Sequence, residues 1–149
     1  MAKRKKSERQ KLIESIDPLW SRYIRSKYAD DERKAECFTC GKRAHVLDLQ
    51  AGHFMSRRYH ATKYDYDNTR VQCYSCNVGL HGNQYRFGVR LDEEREGKAS
   101  SVAARSKDKP PSIDHLKQLR AVLKLSLQRL PEDYWIRPTG TAADSTGDH

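Results

Sequence analysis

Four cysteines, two histidines and two asparagines carry the chemistry this chain offers. Cys37/Cys40 and Cys73/Cys76 form two Cys-x-x-Cys pairs, and there is no other cysteine. Each pair sets two thiolates three positions apart, so one tight turn can present both to a single ion. Gly41, directly after the first pair, permits the positive φ such a turn often needs. Four thiolates close a tetrahedral site with no open position for chemistry, so the expected ion is structural Zn²⁺. One pair alone would fit a redox motif. Two pairs favour a metal, with an iron–sulfur cluster as the other metal reading. His45 is a spare donor that four thiols make unnecessary.

His53, Asn68, Asn77 and His81 form a second set. Hydrolysis of a phosphodiester needs a base for water, a divalent cation on the phosphate and stabilisation of the leaving oxygen. His53 suits the base, because imidazole titrates near neutral pH. Asn68 suits the orientation of that imidazole. On a helix after Cys76, Asn77 and His81 would be four apart and on one face. They would offer an oxygen and a nitrogen to one Mg²⁺ or Mn²⁺.

This order of residues carries a resemblance. His53, Asn68 fifteen residues on, Asn77 nine further and His81 four beyond resemble the signature of HNH, or ββα-metal, nucleases. The flanking Cys-x-x-Cys pairs resemble the zinc-bound members, including phage junction-resolving endonucleases, where an Asn also follows the last cysteine. LQAGHF (49–54), YDYDN (64–68), QCYSCN (72–77) and HGNQY (81–85) are similar to the phage NinG, or Rap, recombination-protein family over about residues 17–92. The resemblance implies a metal-dependent DNA endonuclease for branched recombination intermediates such as Holliday junctions, D-loops or flaps. It implies action in phage recombination, with other phage recombination proteins as partners. Many HNH enzymes place a metal-ligating Asp, Glu or His directly before the catalytic His. Here that position is Gly52, so water, substrate phosphate, Asp48 or Gln50 would have to fill in. Gly before His also fits the resembled family's pattern.

The elements that must position these residues read as an α+β chain. Asp17 and Pro18 suit a helix start, and Leu19, Trp20, Tyr23, Ile24 and Tyr28 recur at helical spacing to about Ala29. Residues 46–54 read as a strand running into a turn, with a second short strand around Val71-Gln72. The unit is strand, loop, strand, helix with a cysteine knuckle at its base, a small zinc-stabilised ββα core flanked by N- and C-terminal helices. The loop between the strands carries Arg57, Arg58 and Lys63 for phosphate, with Arg86 and Arg90 beyond the site. Tyr64 and Tyr66 are expected to pack, and His60 to lie at the surface.

Composition sets the frame. In 149 residues, 36% are hydrophobic and 33% charged, with a net charge of +9. A modest core suits one domain with a metal staple, and the charge favours a polyanionic partner, DNA above all. No apolar run approaches the ~20 residues of a membrane span, and MAKRKKSERQK lacks the apolar stretch of a secretory signal. The expected compartment is the cytoplasm, where thiols stay reduced; the resemblance implies that of an infected or lysogenic bacterial host.

The expected organisation is a basic disordered arm (1–12), the helix and nuclease module (13–92) and a linker with a helical turn near 98–105 (93–112). A C-terminal helical segment (113–136) and a disordered tail (137–149) follow. Ser112 caps the C-terminal helix, whose face of Ile113, Leu116, Leu119, Leu123, Leu127 and Leu130 would dock on the module or pair two copies as a homodimer. Two other readings compete. A non-catalytic zinc-stabilised DNA-binding module explains charge and cysteines but leaves the His/Asn spacing to coincidence. A zinc-mediated adaptor explains the cysteines alone.

Overall fold

The computed structural model describes residues 2–137. Helix α1 (Glu8–Lys27) opens the fold. Ser7 caps it: its side chain accepts from Gln10 N, and the Gln10 side chain accepts from Ser7 N, a reciprocal capping box. Leu12, Ile16, Trp20 and Ile24 recur every four residues and are all buried. Burying side chains of this size contributes roughly 1.5–3 kcal/mol each.

The helix thus starts at Glu8 rather than at Asp17, and Pro18 lies inside it. An interior proline removes one helical hydrogen bond, and the buried stripe on both sides offsets that loss. The basic arm expected over 1–12 is therefore helical from Glu8. The Lys6 ammonium pairs with Glu14 at 2.8 Å.

Strands β1 (Lys34–Glu36) and β2 (Arg43–His45) form an antiparallel hairpin that carries the first cysteine pair in its loop. A short 3₁₀ turn, Val46–Asp48, leads into β3 (Leu49–His53), so the strand starts later than the sequence suggests. The 3₁₀ turn is capped by His45, whose Nδ1 accepts from Leu47 N at 3.1 Å. Strand β4 (Thr69–Cys73) pairs antiparallel with β3, Gln50 opposite Gln72 and Gly52 opposite Arg70.

Leu49, Val71 and Cys73 join the stripe of α1 in the core, and Trp20 Nε1 donates to Thr69 Oγ1 at 3.2 Å. Helix α4 (Ile113–Gln128) covers the other side of α1 with Leu116 and Leu123 fully buried and Ile113 and Leu119 packed against them. The middle of the leucine face is thereby packed within the chain, with Leu127 and Leu130 half-buried at its end. Beyond α4, Tyr134 is buried and Trp135 lies under the guanidinium groups of Arg22 and Arg25.

Helices α2 (Gln84–Glu94) and α3 (Lys98–Arg105) pack on each other through Phe87, Leu91 and Val102. Most of the segment expected as a linker over 93–112 is thus part of the body. A chain of ion pairs holds it there. Arg70 meets Glu94 at 2.8 Å, Lys98 bridges Glu94 and Asp67, and Arg105 meets Asp65 and Asp67. The apolar pattern of 93–105 is too sparse to announce this, because charge pairing does much of the anchoring. Of the expected tail over 137–149, residues 138–149 lie outside the described residues. Arg137 is described and meets Asp48 at 2.7 Å. The chain is α+β, and no described helix is long and apolar enough to cross a membrane.

Candidate metal centre and cleft

The two cysteine pairs converge. Cys37 and Cys40 come from the β1–β2 hairpin, Cys73 ends β4 and Cys76 sits in the turn after it. Their four sulfur atoms lie within 4.8 Å of one another. None forms a disulfide, and Cys40 Sγ and Cys73 Sγ are 3.8 Å apart. A tetrahedral ion with Zn–S bonds of about 2.3 Å requires neighbouring sulfurs roughly 3.8 Å apart, so the set fits zinc.

Burial opposes charge on the Cys37 thiol, but hydrogen bonds from the Thr39 hydroxyl and nearby backbone N–H groups bring its pKa down to about 7. Burial and the neighbouring Cys37 hold Cys40 up at about 12 and also raise Cys73. A cluster of this kind carries few thiolates by itself. A bound dication favours the rest.

The second half of the knuckle is unusual. After Cys73 the chain makes one turn of π-helix, Ser75–Gly79, closed by Leu80 N donating to Ser75 O at 2.8 Å. His81, Gly82 and Asn83 then adopt positive φ of 51°, 94° and 47°. Regular helix resumes only at Gln84. Asn77 and His81 therefore do not share a helix face, contrary to the spacing argument. Both nevertheless line one cleft.

That cleft has a volume of about 690 Å³. Strand β3 contributes Gln50, Ala51 and His53, and the turn contributes Asn77, His81 and Gly82. The inter-strand loop adds Arg57 and Tyr64, and α1 adds Asp17, Trp20 and Ser21. His53 Nε2 donates to the Lys63 carbonyl at 2.8 Å. That bond fixes the tautomer and leaves Nδ1 as the basic nitrogen. Burial lowers the His53 pKa to about 4; the bond to the Lys63 carbonyl is the main opposing effect, the Arg57 and Lys63 charges add to the lowering, and Asp17 opposes it least. The imidazole is thus neutral at pH 7.

Asn68 does not orient the ring, as its type suggested. It is fully buried. Its Oδ1 accepts from Met55 N at 2.6 Å, and its Nδ2 donates to the Met55 and Thr62 carbonyls at 3.0 and 2.9 Å. It pins both ends of the loop, and the loop delivers the Lys63 carbonyl to His53. Asn68→Ala leaves buried loop groups unpaired and is expected to cost about 2–4 kcal/mol. Thermal melts check this, and a wild-type melting temperature would contradict it.

Asn77 Nδ2 donates to Gln50 Oε1 at 2.6 Å, which turns the Asn77 amide and leaves its Oδ1 available. Among the described residues no three His, Cys, Asp or Glu side chains outside the cysteine cluster converge on one point. Asn77 and His81 would thus hold a second cation with water or phosphate completing its shell. Asp48 is not available to stand in for Gly52, because it is paired with Arg137 away from the cleft.

The basic residues separate. Arg57 lines the cleft, and Arg58 lines an adjoining hollow with Tyr59 and Gln84. Lys63 is not a surface phosphate contact. It is buried, with its ammonium 3.2 Å from Asp17. Arg86 and Arg90 pair with Glu93 on α2, and Arg90 lies over the Phe38 ring in a separate depression.

Asp17 and Tyr64 were missed as cleft residues. The Tyr64 hydroxyl donates to Asp17 Oδ1 at 2.6 Å, and burial followed by that bond raises the Tyr64 pKa. The signal was the Ser7 capping box. A helix started there puts Asp17, Trp20 and Ser21 at i, i+3 and i+4, one face.

A family model described as bacteriophage lambda NinG protein matches residues 1–133. The chain belongs to that family. No curated protein and no solved structure matches it. The matched span takes in α1, both strand pairs, the four cysteines, the cleft and all of α4.

Proposed function

We propose that this NinG-family protein is a metal-dependent DNA endonuclease of the HNH type, selective for branched recombination intermediates in phage DNA. The observation that carries the reading is the His53 environment. A neutral imidazole, its Nε2 tied to a backbone carbonyl, shares one cleft with Asn77, His81 and Arg57. The antiparallel pair β3–β4, the turn after it and α2 follow the order of a ββα nuclease core, and the cysteine cluster clamps the base.

In this reading His53 Nδ1 takes a proton from the attacking water. Arg57 holds the scissile phosphate with its planar guanidinium. Asn77 and His81 would hold a Mg²⁺ or Mn²⁺ ion, which would supply Lewis-acid polarisation of the phosphate and charge stabilisation for the leaving oxygen. Lys63 and Asn68 keep the imidazole where it must be. Arg57 in the cleft suits the phosphate backbone, and phosphate contacts position but do not specify, so cutting with little base preference is the reading.

The test is a cleavage panel of linear duplex, flap, D-loop and four-way DNA with purified protein and added Mg²⁺ or Mn²⁺. Nicks near the branch point with little base preference are expected. Binding that is steeply salt-dependent, with no cleavage of any substrate, would favour the non-catalytic DNA-binding reading.

Arg57→Ala with Arg58→Ala should weaken binding to every sequence alike. It should also flatten the dependence of log K on log salt by about 0.9 for each duplex phosphate that the protein no longer neutralises. An unchanged salt slope would remove both arginines from the interface.

A further inference from the structure

Gln72 is the one buried side chain among the described residues with a polar atom left unpaired. It is fully buried in the middle of β4, and its Oε1 has no hydrogen-bond partner. Its Nε2 is fully engaged. It donates to Thr39 Oγ1 at 3.1 Å and to the Gly82 carbonyl at 2.8 Å. Thr39 in turn meets Cys37 Sγ at 3.4 Å. With Nε2 as donor, the Thr39 oxygen accepts from Gln72 and its hydroxyl hydrogen is free for the sulfur.

One amide thus touches both halves of the site. On one side is a sulfur of the metal cluster, through a single hydroxyl. On the other is the turn that carries His81. That turn needs holding, because non-glycine residues at positive φ, here His81 and Asn83, are strained and persist only where the surroundings enforce them. Gly82 N donates to the Cys76 carbonyl at 2.9 Å, and Asn83 Nδ2 lies 3.7 Å from Cys76 Sγ. Gln72 supplies the grip on the Gly82 carbonyl.

The unpaired oxygen explains Gly52. A Cβ on Gly52 would fall 1.8 Å from Gln72 Oε1 and 2.5 Å from its Cδ. No side chain fits there while Gln72 keeps its place, and Gln72 cannot withdraw without releasing Thr39 and Gly82. Oε1 occupies the place that a Gly52 Cβ would take.

We propose that Gln72 is a positioning residue whose buried amide couples the four-cysteine cluster to the His81–Gly82 turn, in the space a side chain at position 52 would otherwise take. Its effect on cleavage rests on the nuclease reading. The coupling itself does not.

Gln72→Met keeps the volume and removes the donors, and so separates coupling from packing. In Co²⁺-substituted protein the thiolate-to-metal absorption band should shift, because Thr39 is freed to reorient at Cys37 Sγ. Metal transfer to a chromophoric chelator should quicken, and cleavage of four-way DNA should fall, each by roughly 10- to 100-fold, the range typical of outer-shell partners. DNA affinity should stay within a factor of about two, since Gln72 lies behind the cleft.

Gly52→Ala should lower the melting temperature sharply, and the double variant Gly52→Ala/Gln72→Ala should melt above Gly52→Ala alone, a non-additivity expected only of side chains competing for one space. An unshifted cobalt band with unchanged metal transfer overturns the coupling, and additive destabilisation in the double variant overturns the shared space. If the wild-type protein cuts no DNA, the nuclease reading falls, and the cobalt band, metal transfer and melts still decide the coupling.

Discussion

His53→Ala is expected to lower DNA cleavage by roughly 10²-fold or more at neutral pH, the usual worth of a positioned general base. The reason is local. Nε2 is committed to the Lys63 carbonyl, so Nδ1 is the nitrogen that can accept a proton. Burial as the leading cause lowers the pKa from 6.5 to about 4, so the basic form is present throughout the neutral range. Cleavage should stay level as pH falls through 6.5 and drop only as it nears 4, where the ring protonates. A base with an ordinary histidine pKa would instead lose activity near 6.5.

Stability carries the same sign. Between pH 6.5 and about 4 the unfolded chain binds a proton at His53 that the folded chain does not. Folding is therefore fully favoured above 6.5 and loses stability progressively on the way down. His53→Ala should lack that portion of the acid sensitivity while keeping its zinc content. Wild-type cleavage rates from His53→Ala would sink the assignment of the base.

Cys73→Ser should be the most disruptive substitution in the chain. Zinc binding in small modules is worth about 10 kcal/mol or more, and that free energy is folding free energy. Here the cluster joins three pieces: the β1–β2 hairpin, the end of β4 and the π-helical turn that carries Asn77. Losing one ligand frees the hairpin from β4 and slackens the turn, so zinc content, melting temperature and cleavage should fall together. Prolonged chelation of the wild-type protein should have the same effect. Folded wild-type protein that carries neither zinc nor iron would refute the metal site.

The unequal effects expected of His53 and Asn68 show why position in the sequence misleads about role. Both belong to the same motif, one read as the base and the other as the group that orients it. Asn68 instead bridges Met55 and Thr62 from a fully buried position. Its effect on His53 passes through the backbone of Lys63. Lys63 shows the reverse. Its type and loop location suggest phosphate, but Asp17, on a helix turn far away in sequence, draws it inward.

Spacing alone determined the cysteine cluster, because two Cys-x-x-Cys pairs constrain their own geometry and no other thiol competes. The amphipathic α4 was legible too, because a period-3.6 apolar pattern reports one-sided burial directly; the strands around His53 were legible only roughly, since β4 is buried at all five positions and so shows no period-two pattern. Tertiary structure decided the rest. The continuity of α1 through Pro18 depends on Leu12, Ile16, Trp20 and Ile24 being buried in one core with β3, β4 and α4, a gain that outweighs a proline inside the helix. The anchoring of α3 depends on Arg70, Asp65 and Asp67, charges whose partners lie 24 to 40 residues apart. The left-handed turn at 81–83 depends on Gln72 and Cys76 gripping it from another strand and the knuckle. Local patterns encode what a segment buries, and they carry no record of which distant group will satisfy a charge, an amide or a strained turn.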